Sequence, residues 1–180
     1  MPSIHDEIAD LSAQVRVLRD RAELRDLFDR YVGALDTGDH AGPDGTAFDE
    51  LFTEDAVFSF PIGTCTGVEG FAVLRREAGA RWSRTHHISA NHDIRLDGDR
   101  ATLRVQQLTR HLHGPGDGRP GGGRPGGGRP GEGPPAPFEV GGYCRARAVR
   151  TEAGWRLNHV SFHVVWDAGD RLPELTGVQW

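Results

Sequence analysis

Beyond Arg84 the apolar spacing of the chain changes from a helical repeat to strict alternation. RTHHISANHDIRL and RATLRVQQLTRHLH flank DGDR, and PFEVGGYCRARAVRT and WRLNHVSFHVVW flank EAG. Each pair reads as two strands joined by a tight turn. The second half of the chain is therefore expected to form an antiparallel sheet.

The first half reads as helices. Ile4, Ile8, Leu11, Val15, Leu18 and Ala22 recur at intervals of four and three, a helical stripe. It fits a helix packed on its own domain, and it also fits a short dimer seam. Asp20 followed by Glu23 has the form of a capping box, which predicts that a second helix starts there. Its apolar face is Leu24, Leu27, Phe28, Tyr31 and Leu35, and it stops at LDTGD, where Gly38 suits a left-handed end. AFDELFTE (47–54) is expected as a short helix, AVFSFP (56–61) as a strand and residues 67–82 as a third helix. Helices first and antiparallel strands after define an α+β fold.

Between the two hairpins the unit GRPGG repeats through residues 114–137. Such a segment has too little apolar surface to order itself and is expected to be a disordered insertion. Its arginines 119, 124 and 129 could touch an anionic partner. The expected organisation is a helical extension over 1–19, a domain over 20–168 carrying that insertion, and a tail over 169–180.

Composition excludes several classes. The formal net charge of −5 argues against a nucleic-acid binder. All 21 basic residues other than histidine are arginine, so lysine Schiff-base chemistry is excluded. Cys65 and Cys144 match no metal or redox spacing, which favours a reducing cytoplasm. No apolar run approaches the ~20 residues of a membrane span, and MPSIHDEIADL lacks the features of a secretion signal.

Nine histidines raise the question of a metal. His111 and His113 share a strand face and could ligate one ion, with His87, His92 or a carboxylate as a third ligand. His159 and His163, four apart on a strand, lie roughly 13 Å from each other. No cysteine cluster or HExxH completes a set, and no metal is expected.

Acid–base chemistry is the stronger reading, because histidine titrates near neutrality. On the first strand, alternation puts His86, Ile88, Ala90, Ile94 and Leu96 on one face, read as packing against helices. Thr85, His87, Ser89, Asn91 and Asp93 form the other, polar face. On the next strand Leu103, Val105, Gln107, Thr109 and His111 mix apolar and neutral polar groups, as a cavity wall does. Asp36, five residues past Tyr31, is the carboxylate placed to partner a histidine. His92, His159 and His163 read as structural.

The order RAELRDLFDRYVGALDTGD, LFTEDAVFSFP, a helix, RTHHISAN and GWRLNHVSFHVVW resembles the SnoaL-like branch of the nuclear-transport-factor-2-like superfamily over residues 20–168. The resemblance implies a cone: a curved antiparallel sheet around a pocket closed by the N-terminal helices. The nearest local similarity is to scytalone dehydratases, whose first core helix ends in Tyr-Asp and whose strand carries a catalytic histidine. Those positions fall on Asp36 and His87, with Leu35 in place of the tyrosine and Tyr31 one turn earlier. A second histidine position is bracketed by His111 and His113, while the family's serine and asparagine meet Gly142–Arg145 and find no counterpart.

The resemblance implies a small cofactor-independent lyase or isomerase of dehydratase or cyclase type. Its substrate would be an apolar oxygenated small molecule such as a polyketide-like intermediate. His87 would move the proton and Asp36 would hold its charged form. Tyr31, Asn91, Gln107 and His111 are candidates to bind substrate oxygens, and Phe58, Phe60, Phe71, Trp82 and Phe162 to form apolar walls. The alternative is a non-catalytic ligand-binding or dimerisation module of the same fold. Hydrolysis of an epoxide or ester is a third reading, without a matching Arg-Asp constellation. The N-terminal stripe and the tail Leu172–Trp180 suit a homo-oligomer, a dimer or trimer.

Overall fold

The computed structural model describes residues 3–36, 46–79, 82–114 and 136–171. Gly38, the repeated arginines and the tail 172–180 lie outside the described residues. The elements are α1 (Ile4–Asp36), α2 (Thr46–Asp49), β1 (Phe52–Phe60), β2 (Gly63–Thr66), α3 (Gly67–Gly79), β3 (Arg84–Asp97), β4 (Arg100–Leu112), β5 (Phe138–Thr151) and β6 (Gly154–Ala168). They form an α+β fold with one curved, unclosed sheet in the order β2-β1-β6-β5-β4-β3. Every pairing is antiparallel except β1 with β6.

The two expected N-terminal helices are one. Ser3 caps α1: its Oγ accepts from the Asp6 amide at 3.3 Å, and its own amide donates to Asp6 Oδ2 at 3.0 Å. Asp20 caps nothing. It sits in mid-helix and accepts from Arg150 Nη2 at 2.6 Å and Trp155 Nε1 at 3.3 Å. This inward-facing carboxylate ties the helix to the β5–β6 turn, and its sequence resemblance to a cap is local only. From Leu24 onward α1 buries Leu24, Leu27, Phe28, Tyr31 and Val32, a face of helical period laid on the sheet. Ile4, Ile8, Leu11, Val15 and Leu18 do not pack on the domain, contrary to one of the two readings of the stripe; each is more than half exposed.

Two boundaries shift. Helix α2 has only four residues, because Phe52 is drawn into β1 by the aromatic core. There Phe52 meets Phe58 at 4.8 Å, Phe58 stacks on Phe71 at 4.2 Å, and Phe48 meets Phe71 edge-on at 5.1 Å. Helix α3 ends at Gly79, so Trp82 leaves the helix and joins the open end of the sheet.

Over its first half β3 turns the face read as packing outward, while Ile94 and Leu96 in its second half face inward as expected. His86, Ile88 and Ala90 are exposed, while Thr85, His87 and Ser89 turn inward toward α1. A bulge between Ala90 and Asp93, with Asn91 at φ 53°, then shifts the register. Past it His92, Ile94 and Leu96 face inward. A bulge adds one residue, so the single alternation assumed across RTHHISANHDI breaks in the middle. On β4 the buried residues are Leu103, Val105, Gln107 and Thr109, with His111 partly buried and the even positions mostly exposed.

On the outer face Ile88, Leu108, Gly141 and Trp166 align across four strands. The Trp166 indole lies over Gly141, which has no side chain to displace it. A second bulge separates Gly141 from Gly142 in the pairing with β6.

Candidate active site

Asp36 is the last residue of α1, and its carboxylate reaches the edge strand β3. An edge strand keeps a row of main-chain groups without a sheet partner. One of these, the His87 amide, donates to Asp36 Oδ2 at 2.7 Å. The His87 ring gives its Nδ1–H to Oδ1 at 2.6 Å, and Thr85 Oγ1 donates to the same oxygen at 3.1 Å. His86 Nδ1 stands 3.6 Å from Oδ2, but its side chain is 72% exposed against 13% for His87. Burial pushes the Asp36 carboxyl upward. The bonds from the His87 ring and amide, with that from Thr85, outweigh it and hold the group below the ordinary carboxylate range.

The bond to Asp36 uses Nδ1 and leaves Nε2 on the opposite side of the His87 ring. Among the described residues no bond to Nε2 is recorded. The ring meets His111 edge-on with centroids 6.2 Å apart. His111 Nδ1–H donates to the Phe138 carbonyl at 3.2 Å, which leaves its own Nε2 as an acceptor. Burial first, and the neighbouring His87 second, depress the His111 pKa to about 4. Trp82 covers this corner, 4.7 Å from His111, 5.0 Å from His113 and stacked at 5.8 Å on Phe138. His113 Nε2–H donates to the Ala136 carbonyl at 3.1 Å. Both members of the His-x-His pair thus serve main-chain carbonyls. Among the described residues no three His, Cys, Asp or Glu side chains converge on a point.

The other sequence candidates divide. Gln107 is buried farther along β4, its Oε1 accepting from Cys144 Sγ–H at 2.9 Å and its Nε2 donating to Thr109 Oγ1 at 3.4 Å. Burial pushes the Cys144 thiol up to about 12. Tyr31 is fully buried among Phe28, Phe52 and Phe71, and its hydroxyl has no recorded partner among the described residues. Its pKa is raised well above the ordinary tyrosine value, by burial and then by Cys144. Phe58, Phe60 and Phe71 line the same aromatic core, and Phe162 packs against it partly buried. Asn91 is not with them: it sits exposed in the left-handed bend of the bulge. Sequence reasoning does not reach Thr85 or Phe138 as site residues. Thr85 has a signal in the sequence, since it precedes His87 by two and shares its strand face. Phe138 has none, because only the β4–β5 register sets it opposite His111.

A second arrangement of the same kind lies two helical turns earlier. Asp29 Oδ1 accepts from Ser89 Oγ at 2.8 Å and lies 3.0 Å from His92 Nε2. The His92 ring meets Phe28 edge-on. So α1 is held to β3 by two carboxylates, each taking a hydroxyl and an imidazole, and the Asp36 one opens on the Trp82–His111 corner.

Comparisons with known proteins identify the family of the fold. The SnoaL-like domain family matches residues 16–161. No curated protein matches the chain. Among solved structures, the Kfla4162 protein from Kribbella flavida is 25% identical with TM-score 0.67, over 84% of this chain and 95% of its own. A type 2 hexachlorocyclohexane dehydrochlorinase, LinA, is 14% identical with TM-score 0.68, over 88% of this chain and 93% of its own. A protein from Novosphingobium aromaticivorans provisionally assigned as a scytalone dehydratase is 17% identical with TM-score 0.63, over 86% of this chain and 89% of its own. With its matched domain and its neighbours of the nuclear-transport-factor-2-like superfamily, the chain belongs to the SnoaL-like family.

Proposed function

We propose that the chain is a small cofactor-independent lyase or isomerase, of dehydratase or cyclase type, in which His87 and Asp36 move a proton on an apolar oxygenated small molecule. The observation that carries this reading is the 2.6 Å bond from His87 Nδ1 to Asp36, which leaves Nε2 at the aromatic corner. In a dehydration, Nε2 takes the proton next to a carbonyl. The electron pair forms the double bond and expels the β-hydroxyl, and the imidazolium returns the proton to the leaving oxygen as water. Asp36 stabilises the imidazolium between these steps. Such acid–base catalysis is typically worth ~10²–10⁴-fold, and orientation supplies the rest.

His111 stays neutral at pH 7 and presents an acceptor, which suits a substrate hydroxyl. Gln107 and Tyr31 are the further polar groups proposed for the substrate's oxygens. Trp82 and Phe138, with Phe58, Phe60, Phe71 and Phe162 deeper in, suit an aromatic or polyketide-like body. That one structural neighbour is a dehydrochlorinase and another is assigned as a dehydratase supports an elimination. We further place the protein in the cytoplasm, as two free cysteines suit a reducing compartment. Among the described residues no helix is long and apolar enough to cross a membrane.

The second reading is a binding module. It draws on Asp29 and His92, which show that this fold also uses a carboxylate–imidazole pair simply to hold α1. Assay of His87→Gln and Asp36→Asn against a panel of polyketide-like substrates separates the two. Loss of turnover with retained folding is expected. Unchanged turnover in both variants sinks the dyad, and ligand binding without turnover by the parent protein favours the module.

A further inference from the structure

The first turns of α1 stand away from the domain with a large apolar stripe uncovered. Ile4, Ile8, Leu11, Val15 and Leu18 are each more than half exposed, and Ala22 continues the series. A helical segment of this length is marginal in water unless an apolar face is packed. The spacing is heptad-like, with Ile8, Val15 and Ala22 at one inner position and Ile4, Leu11 and Leu18 at the other. That pattern fits another helix better than a flat surface.

We propose that the stripe pairs with the same stripe of a second copy, the two helices running antiparallel about a two-fold axis. In this register Leu11 meets the partner's Val15, Ile8 meets the partner's Leu18, and Ile4 meets the partner's Ala22. The symmetry repeats each layer, so the stripe from Ile4 to Ala22 is covered throughout. One flank adds charge complementarity. Glu7 falls beside the partner's Arg21, twice by symmetry, and Gln14 meets its own copy. The other flank sets Ser12 against its own copy and His5 beside the partner's Arg19. A parallel pair would set Glu7 against the partner's Ser12. It would also bring Arg25, the next residue in the heptad series, against its own copy. The antiparallel pair sends the two domains to opposite ends of the seam, and Arg25 falls beyond the partner's stripe. The pairing is independent of the His87–Asp36 chemistry, since it is read by mass and not by turnover.

Sedimentation equilibrium of the full chain tests it. A dimer of twice the 19.7 kDa chain mass is expected at about 100 µM or below. Leu11→Glu with Leu18→Glu is expected to give a monomer whose near-ultraviolet circular dichroism is unchanged, since both residues are exposed in the single chain. Glu7→Arg is expected to weaken the dimer about tenfold, and adding Arg21→Glu to restore it. Three results overturn the proposal. One is a monomer throughout that range, whatever then covers the stripe. Another is an oligomer indifferent to the Leu11/Leu18 change. The third is a charge-reversed pair that fails to restore what Glu7→Arg lost.

Discussion

His87 holds Asp36 twice, through its main-chain amide at 2.7 Å and through its ring Nδ1 at 2.6 Å. The two bonds have separable roles. The amide bond fixes where α1 ends against β3, and the ring bond fixes the tautomer. His87→Gln keeps the first and removes the second. Its melting temperature is expected to fall less than that of Asp36→Ala, which removes both. The tautomer can be read directly: the His87 ring is expected to carry its proton on Nδ1 in nitrogen-15 spectra at pH 8. Asp36→Asn is expected to abolish that preference and to cut any turnover by roughly 10²–10⁴.

Asp36 also sets an acid limit. Its native pKa lies below the ordinary carboxylate value, so the unfolded chain binds this proton more tightly than the native one. The contribution is present above the unfolded carboxylate pKa of ~3.9 and is lost as pH falls through the lower native value. Urea unfolding between about pH 5 and pH 2 is expected to show a shallower loss of stability in Asp36→Asn than in the parent.

His111 gives a second, earlier acid step. Its native pKa is about 4 against an ordinary 6.5. Between those values the unfolded chain carries a proton that the native chain does not, so stability rises with pH across the window. The penalty is complete below the native value and is on the order of 3 kcal/mol. His111→Phe keeps a ring against Trp82 and is expected to flatten the stability curve from pH 6.5 down to about 4.

Asp20 is expected to behave as a buried anchor and not as a cap. Asp20→Ala strips both Arg150 and Trp155 of an acceptor, although Arg150 keeps Asp99 at 3.0 Å. A loss of about 1–3 kcal/mol is expected in denaturant unfolding. An effect below that range would return Asp20 to a local helical role.

Gly141 and Gly142 are expected to differ. An added Cβ at Gly141 meets the Trp166 indole, which can swing outward from an exposed face. At Gly142 it meets the His163 carbonyl, which belongs to the sheet itself. Gly142→Ala should therefore cost more in melting temperature than Gly141→Ala.

The sheet was legible because alternation is local: the turns DGDR and EAG and the four long strands lie where the sequence puts them. Asp36 and His87 were legible only jointly, the family resemblance choosing the residues and the structure supplying their bond. What was hidden depends on contacts distant in the chain. Asp20 has a cap's sequence neighbours, and only its distant partners Arg150 and Trp155 reveal its role. Alternation puts His86 on the wrong face because a bulge at Asn91 leaves no trace in hydrophobic period. For the same reason alternation puts Asn91 with the polar face, whereas it sits exposed in the bulge.

Helix α1 runs without a break from the exposed stripe to Asp36. Each residue of an α-helix turns the chain by about 100°. Adding or removing one residue between Leu18 and Leu24 would therefore rotate the stripe around the helix axis while Asp36 and the buried face stayed where they are. Relatives that keep a partnered stripe should differ in length here only by steps that restore rotational phase, three or four residues or a full seven. The angular setting of one surface against another is in this protein written into a count of residues.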